Sequence, residues 1–77
     1  MWHTITSVST NYFIIAGEHA ASFPRGIRIR VVGGNAGNYF VIASEQVGGN
    51  TVIYITPNAP VSGGACKLRK KKRPPDL

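Results

Sequence analysis

The chain has 77 residues, and nine Lys and Arg against three Asp and Glu give it a formal net charge of +6. This length has room for one small domain, and the single cysteine excludes an internal disulfide. No apolar run approaches the ~20 residues of a membrane-spanning helix, and no signal-peptide pattern opens the sequence, so we expect neither a membrane span nor a secreted disulfide scaffold.

Two strands and a helical turn are predicted in the N-terminal third of the chain. Residues 2–8 and 12–16 are short runs with apolar residues that favour strands, and Ser, Thr and Asn at 9–11 supply a turn between them. Residues 18–22 predict a helical turn, and its length is limited to a single turn because Pro24 blocks extension. This part of the chain therefore predicts a hairpin followed by a short connection.

Three further strands are predicted at residues 26–32, 39–44 and 51–56. In the first of them Ile and Val alternate with Arg28 and Arg30, which predicts one buried and one solvated face. Segments rich in Gly and Asn separate the three strands and supply tight turns. Pro57 ends the last strand, because proline cannot donate to the ladder.

The predicted fold is all-β, a small five-stranded antiparallel meander that is barrel-like or sandwich-like, with a disordered basic C-terminal tail. We expect a β-module at residues 1–61, and a glycine hinge with a flexible tail at residues 62–77. A sheet this small either closes into a barrel or leaves edges that a partner must cover.

The positive charge is concentrated in the predicted tail. Residues 1–66 hold three Arg against two Glu, a net of +1, whereas residues 67–77 hold six Lys and Arg against one Asp, a net of +5. Such a run attracts phosphate or any acidic surface. The candidate contacts to an acidic surface or nucleic acid are therefore Lys67, Arg69, Lys70, Lys71, Lys72 and Arg73. Candidate subunit contacts on the module are Trp2, Arg25, Arg28 and Arg30.

We expect no catalytic, metal or cofactor site. The soft ligands are His3, His19 and Cys66, which are too few and too irregularly spaced for zinc. Cys66 also borders the predicted tail, where nothing would hold it against a base. The Gly/Asn-rich segment 33–38 leads into a strand, so it lacks the helix N-terminus that a phosphate-binding loop needs. The sequence therefore predicts a protein that is not an enzyme.

An order of turns and short motifs runs through residues 4–60. Its upstream part is Ile5-Thr6-Ser7-Val8 and Tyr12 to Gly17. Its main part is Phe23-Pro24-Arg25-Gly26, Ile27 to Val32, Gly33 with Asn35 and Gly37, Tyr39-Phe40-Val41, and Gly49-Asn50-Thr51 with Ile53 and Ile55. This order resembles a pattern in small β-modules of tailed-bacteriophage virion proteins. The basic tail departs from that pattern.

The resemblance implies a structural subunit of a bacteriophage particle: a tail, baseplate, fibre-attachment or capsid-decoration component. Its partners would be other virion proteins and copies of itself, with no membrane and no small-molecule substrate. Its location would be the virion, assembled in the host cytoplasm. In this hypothesis the β-module docks on neighbouring subunits while the basic tail follows an acidic surface.

The alternative hypothesis is a small OB-like or SH3-like barrel that binds DNA or RNA. Arg25, Arg28 and Arg30 would line its binding groove, Tyr39 and Phe40 would offer stacking platforms, and the tail would contact phosphates. Salt-sensitive nucleic-acid binding that depends on the three arginines distinguishes this alternative from the structural hypothesis.

Overall fold

A computed structural model of the protein describes residues 2–34, 36–59 and 66–70. The strands in these ranges are β1 (His3–Val8), β2 (Tyr12–Ala16), β3 (Arg28–Gly33), β4 (Gly37–Val47), β5 (Asn50–Thr56) and β6 (Cys66–Lys70). One 3-10 turn, Ala20–Ser22, lies between β2 and β3, where the sequence predicted a helical turn. The described residues contain no helix with the length and hydropathy needed to cross a membrane.

The six strands form one closed antiparallel barrel in the order β1-β2-β5-β4-β3-β6, with β6 beside β1. The all-β class and the barrel are therefore confirmed. The expected meander order is wrong, because β2 pairs with β5 and not with β3. The 3-10 turn packs against β4 and β5, so the β2–β3 connection crosses both strands before β3 begins. Strands β6, β3, β4 and β5 form a Greek key.

The sixth strand comes from residues that we expected in the flexible tail. Cys66 and Leu68 are buried, whereas Lys67 and Arg69 are exposed, so the strand alternates an apolar inner side with a basic outer side. Burial of the two apolar side chains between β1 and β3 fixes β6 in the barrel. The tail prediction is therefore wrong for these residues, and the rest of the predicted hinge and tail lies outside the described residues.

Two hairpins confirm the predicted turns in the second half of the chain. Gly48 has a φ of 59° in the two-residue β4–β5 loop, a left-handed conformation that glycine adopts at little cost. Before β3, the Gly26 amide donates to the Val41 carbonyl at 2.7 Å, and the Val41 amide donates to the Ile27 carbonyl at 2.8 Å. The β3–β4 ladder thus continues back to Gly26, as the sequence predicted.

The core fills the inside of the barrel. All six strands contribute to it, and Phe23 enters from the β2–β3 connection with no exposed surface. The Phe13 and Tyr39 rings meet edge to face with their centroids 5.2 Å apart. The largest fully buried side chains are Phe13, Phe23, Ile15, Ile29, Ile53, Ile55 and Leu68.

A candidate basic–aromatic binding face

Four basic side chains lie on the outer surface of β3 and β6. Arg28 and Arg30 are exposed while their neighbours Ile29 and Val31 are buried, and Lys67 and Arg69 alternate in the same way with Cys66 and Leu68. Arg30 and Arg69 are directly opposite each other in the β3–β6 register. Like charges at opposite positions of a sheet destabilise the pairing, so this arrangement favours an anion that would neutralise them.

Two exposed aromatic rings flank these cations. Phe40 on β4 is opposite Arg28, whose guanidinium carbon lies 5.7 Å from the ring centroid. At the other side, the guanidinium carbon of Arg69 lies 5.0 Å from the Trp2 ring centroid. Both distances are within cation–π range. We call the following six residues the basic–aromatic face: Trp2, Arg28, Arg30, Phe40, Lys67 and Arg69.

The acidic side chains of the described residues lie away from these cations. They are Glu18, between β2 and the 3-10 turn, and Glu45, near the β4–β5 loop. The Tyr54 hydroxyl donates a 2.9 Å hydrogen bond to Glu45, and this bond raises the pKa of Tyr54. Within the ranges that the structure describes, β1, β3 and β6 carry no carboxylate that could compensate the positive charge of the face.

The structure brings together residues that the sequence suggested for two separate roles. Trp2, Arg28 and Arg30, expected as subunit contacts, lie beside Lys67 and Arg69, expected as tail contacts. The alternation of apolar and basic residues in β6 is the sequence feature that could have indicated that these two groups of residues lie on one face.

The remaining candidate residues are divided between the face, the core and undescribed positions. Arg25 is exposed in the turn before β3, outside the face, and Lys70 is exposed at the end of β6. Tyr39 is only 4% exposed and therefore cannot be a stacking platform, whereas Phe40 is 47% exposed. Three tail candidates lie outside the described residues: Lys71, Lys72 and Arg73.

Two histidines meet beside the β1–β6 pair. The ring centroids of His3 and His19 are 4.6 Å apart, and those of His3 and Phe23 are 5.6 Å apart. Burial lowers the pKa of His3, and the nearby positive charges of His19, the α-amino group and Lys70 lower it further. No group of three His, Cys, Asp or Glu suited to a metal ion occurs within the described parts of the chain.

A buried threonine positions the loop that carries His19. Thr51 is fully buried, and its Oγ1 donates to the Gly17 carbonyl at 2.7 Å while accepting from the His19 amide at 2.8 Å. On the neighbouring strand, the Ser44 hydroxyl lies 2.9 Å from the carbonyl oxygens of both Ala20 and Phe23. These bonds satisfy backbone groups of the β2–β3 connection and give it a structural role.

The Gly/Asn-rich β3–β4 connection borders a shallow depression of about 280 Å³. Arg30 on β3 lines one side of it, and Asn38, the residue opposite Arg30 on β4, also lines it. The connection leads into strand β4, as predicted, so no helix N-terminus faces the depression. The depression therefore extends the surface beside the basic–aromatic face and does not form a phosphate-binding loop.

Comparison of the chain with protein-family models, with curated proteins and with solved structures finds no match. The feature that most clearly indicates a type of ligand is the basic–aromatic face, because it combines positive charge with exposed aromatic surface on one side of the barrel.

Proposed function

We propose that this chain is a non-enzymatic structural component of a bacteriophage particle, in its tail, baseplate or capsid decoration. It docks on an acidic neighbouring component through its basic–aromatic face. The observation that carries the docking is the cross-strand arrangement of four cations between two exposed aromatic rings. Electrostatic complementarity of this kind steers association and fixes orientation.

The virion assignment is supported by the pattern of motifs along residues 4–60. Among the described residues, four positions of this pattern have a clear structural role in the barrel: Phe23, Tyr39 and Val41 are buried, and Gly26 has a φ of 93°. The pattern thus describes how a barrel of this kind is built from sequence. The resemblance to phage β-modules then implies that such a barrel acts as a part of a phage particle.

Side chains, not strand edges, would mediate the docking. Each of the six described strands has two neighbours in the closed barrel, so these strands offer no free edge for a partner strand. The contact would therefore use charge and aromatic surface. A component present in many copies can rely on individually weak contacts, because simultaneous engagement adds their effects.

Quantitative mass spectrometry of purified phage particles tests the proposal. We expect the chain to be present at a fixed copy number, near a ring symmetry for a tail component or in the hundreds for a shell or tube component. Recovery of the chain only in the particle-free lysate would contradict it. Arg30→Glu should be depleted from particles, whereas the matched control Arg25→Glu, which makes the same change in net charge outside the face, should be incorporated normally.

A second candidate function is nucleic-acid binding outside any particle, and the stacking of arginines on Phe40 and Trp2 favours it. The barrel has six strands, whereas an OB-fold has five. The resemblance to an OB-fold therefore lies in the type of binding surface and not in the topology. Nucleic-acid binding by a chain that is absent from particles would support this candidate over the first.

A further inference from the structure

The exposed aromatic rings are the part of the face that charge alone does not explain. Trp2 is 43% exposed and Phe40 is 47% exposed, although each could be replaced by a polar residue if the surface only had to attract anions. Both rings instead lie against an arginine of the face. Exposed aromatic rings within a basic surface are typical of sites on which unpaired bases stack.

The rings are separated by the cationic strands. Phe40 is on β4 and Trp2 precedes β1, and β3 and β6 lie between these strands in the barrel order. Three strand spacings across the sheet and two residues along a strand place them about 16 Å apart. Arg30 and Arg69 lie opposite each other between them. Arg30 is opposite Asn38 on β4, and Phe40 lies two residues further along that strand, opposite Arg28. A ligand that runs diagonally across the strands therefore meets Trp2, the Arg69–Arg30 pair and Phe40 in turn.

We propose that the basic–aromatic face binds single-stranded nucleic acid across β4, β3, β6 and β1. This inference rests on the proposed function in assuming that the face holds an acidic component, and it identifies that component by its chemistry. Phosphates would contact Arg30, Lys67 and Arg69, while unpaired bases would stack on Phe40 and Trp2.

Two other acidic partners fit the face less well. An acidic protein surface would neutralise the four cations but would leave both aromatic rings without a planar partner. A nucleic-acid duplex keeps its bases stacked on one another, so it would offer only phosphates to the face. A single strand uses both kinds of side chain, because every base has a face that stacks on an aromatic ring.

Titration of the full chain with three polyanions tests the inference. The probes are a ten-nucleotide oligothymidylate, a duplex of the same length and polyglutamate. Trp2 is the only tryptophan of the chain, so its fluorescence reports contact with the face directly. We expect the single strand to quench this fluorescence and to bind most tightly. With the three phosphate-contacting cations Arg30, Lys67 and Arg69 engaged, the slope of log K against log salt should be about −2.

Variants separate stacking from charge. Phe40→Ala and Phe40→Leu should each weaken single-strand binding about tenfold and leave the salt slope unchanged. Phe40→Leu retains an apolar side chain and so protects the test against simple loss of folding. Arg30→Gln should reduce the magnitude of the salt slope by about 0.7. Arg25→Gln removes the same charge from a turn outside the face and should leave the slope unchanged.

The possible failures have different meanings. The inference would be overturned if the duplex or polyglutamate bound as tightly as the single strand, or if both Phe40 variants kept their affinity. In either case the basic–aromatic face could still bind an acidic component. Absence of binding to all three probes at low salt would overturn the docking face of the proposed function as well. Incorporation into particles is measured separately and does not depend on the identity of the acidic component.

Discussion

The β4–β5 and β3–β6 pairs are held together in different ways. Strands β4 and β5 are neighbours in the chain, joined by a two-residue loop, and their outer surface includes the hydrogen bond from Tyr54 to Glu45. Strands β3 and β6 come from distant parts of the chain, and Arg30 faces Arg69 across them. The first pair is a local hairpin, whereas the second depends on core burial to overcome charge repulsion.

This difference suggests that stability and binding are assigned to different sides of the barrel. The hairpin side forms from residues close in sequence and should change little with solution conditions. The β3–β6 side closes the barrel and also forms most of the basic–aromatic face. A bound polyanion should therefore stabilise this closure, because it binds the folded face and not the unfolded chain.

Removal of the core side chain that fixes β6 should have the largest effect. Leu68 has no exposed surface, and Leu68→Ala should lower the free energy of unfolding by about 2–5 kcal/mol. Denaturant unfolding measures the loss, and hydrogen exchange locates it. We expect faster exchange in β6 and its neighbours than in the β4–β5 hairpin.

Ile53→Ala is the matched control for that comparison. Ile53 is equally buried but lies in β5, so its loss should expose both hairpin strands to exchange. Equal exchange patterns in the two variants would mean that the barrel unfolds as a single unit, and the contrast between its two sides would then be wrong.

The charge repulsion between Arg30 and Arg69 should have a smaller effect. Arg30→Glu replaces a like-charge pair with an opposite-charge pair, and it should raise the free energy of unfolding by roughly 0.5–1 kcal/mol at low salt. Thermal unfolding at low and high salt measures the gain, which should shrink as salt screens the pair. Arg25→Glu makes the same change in net charge outside the strand pair. An equal gain in this control would assign the effect to net charge and not to the cross-strand contact.

The sequence predicts most of the barrel wall but not its closure. Turn glycines and the alternation of apolar residues locate β1 to β5 and identify the outward direction of Arg28 and Arg30. They do not determine strand neighbours, because the pairing of β2 with β5 depends on where the connection crosses the barrel. The alternation of Cys66 and Leu68 with basic residues was present in the sequence. The run of charge that continues after it favours a solvated tail, so the local pattern does not identify a strand there.

The same lesson applies to the candidate site. Exposure of Phe40 and burial of Tyr39 follow from alternation once the inner side of β4 is known. The meeting of Arg30 with Arg69 depends on a long-range strand pair, which no local pattern specifies. The separate groups of candidate residues could thus be found from sequence, whereas their union into one face required the barrel.

Protonation of His3 should have the smallest effect and should act on the closing side of the barrel. His3 is opposite Leu68 in the β1–β6 register, and burial together with neighbouring positive charge lowers its pKa below the usual 6.5. The unfolded chain therefore binds a proton at this residue at higher pH than the folded chain does, so stability should fall as pH drops below 6.5. Unfolding measured from pH 7.5 to 5.5, above the usual range of carboxyl groups, should show this fall in the wild type. In His3→Phe, which keeps a ring beside His19 and Phe23, the fall should be smaller. An unchanged pH dependence in this variant would place the titrating group elsewhere in the molecule.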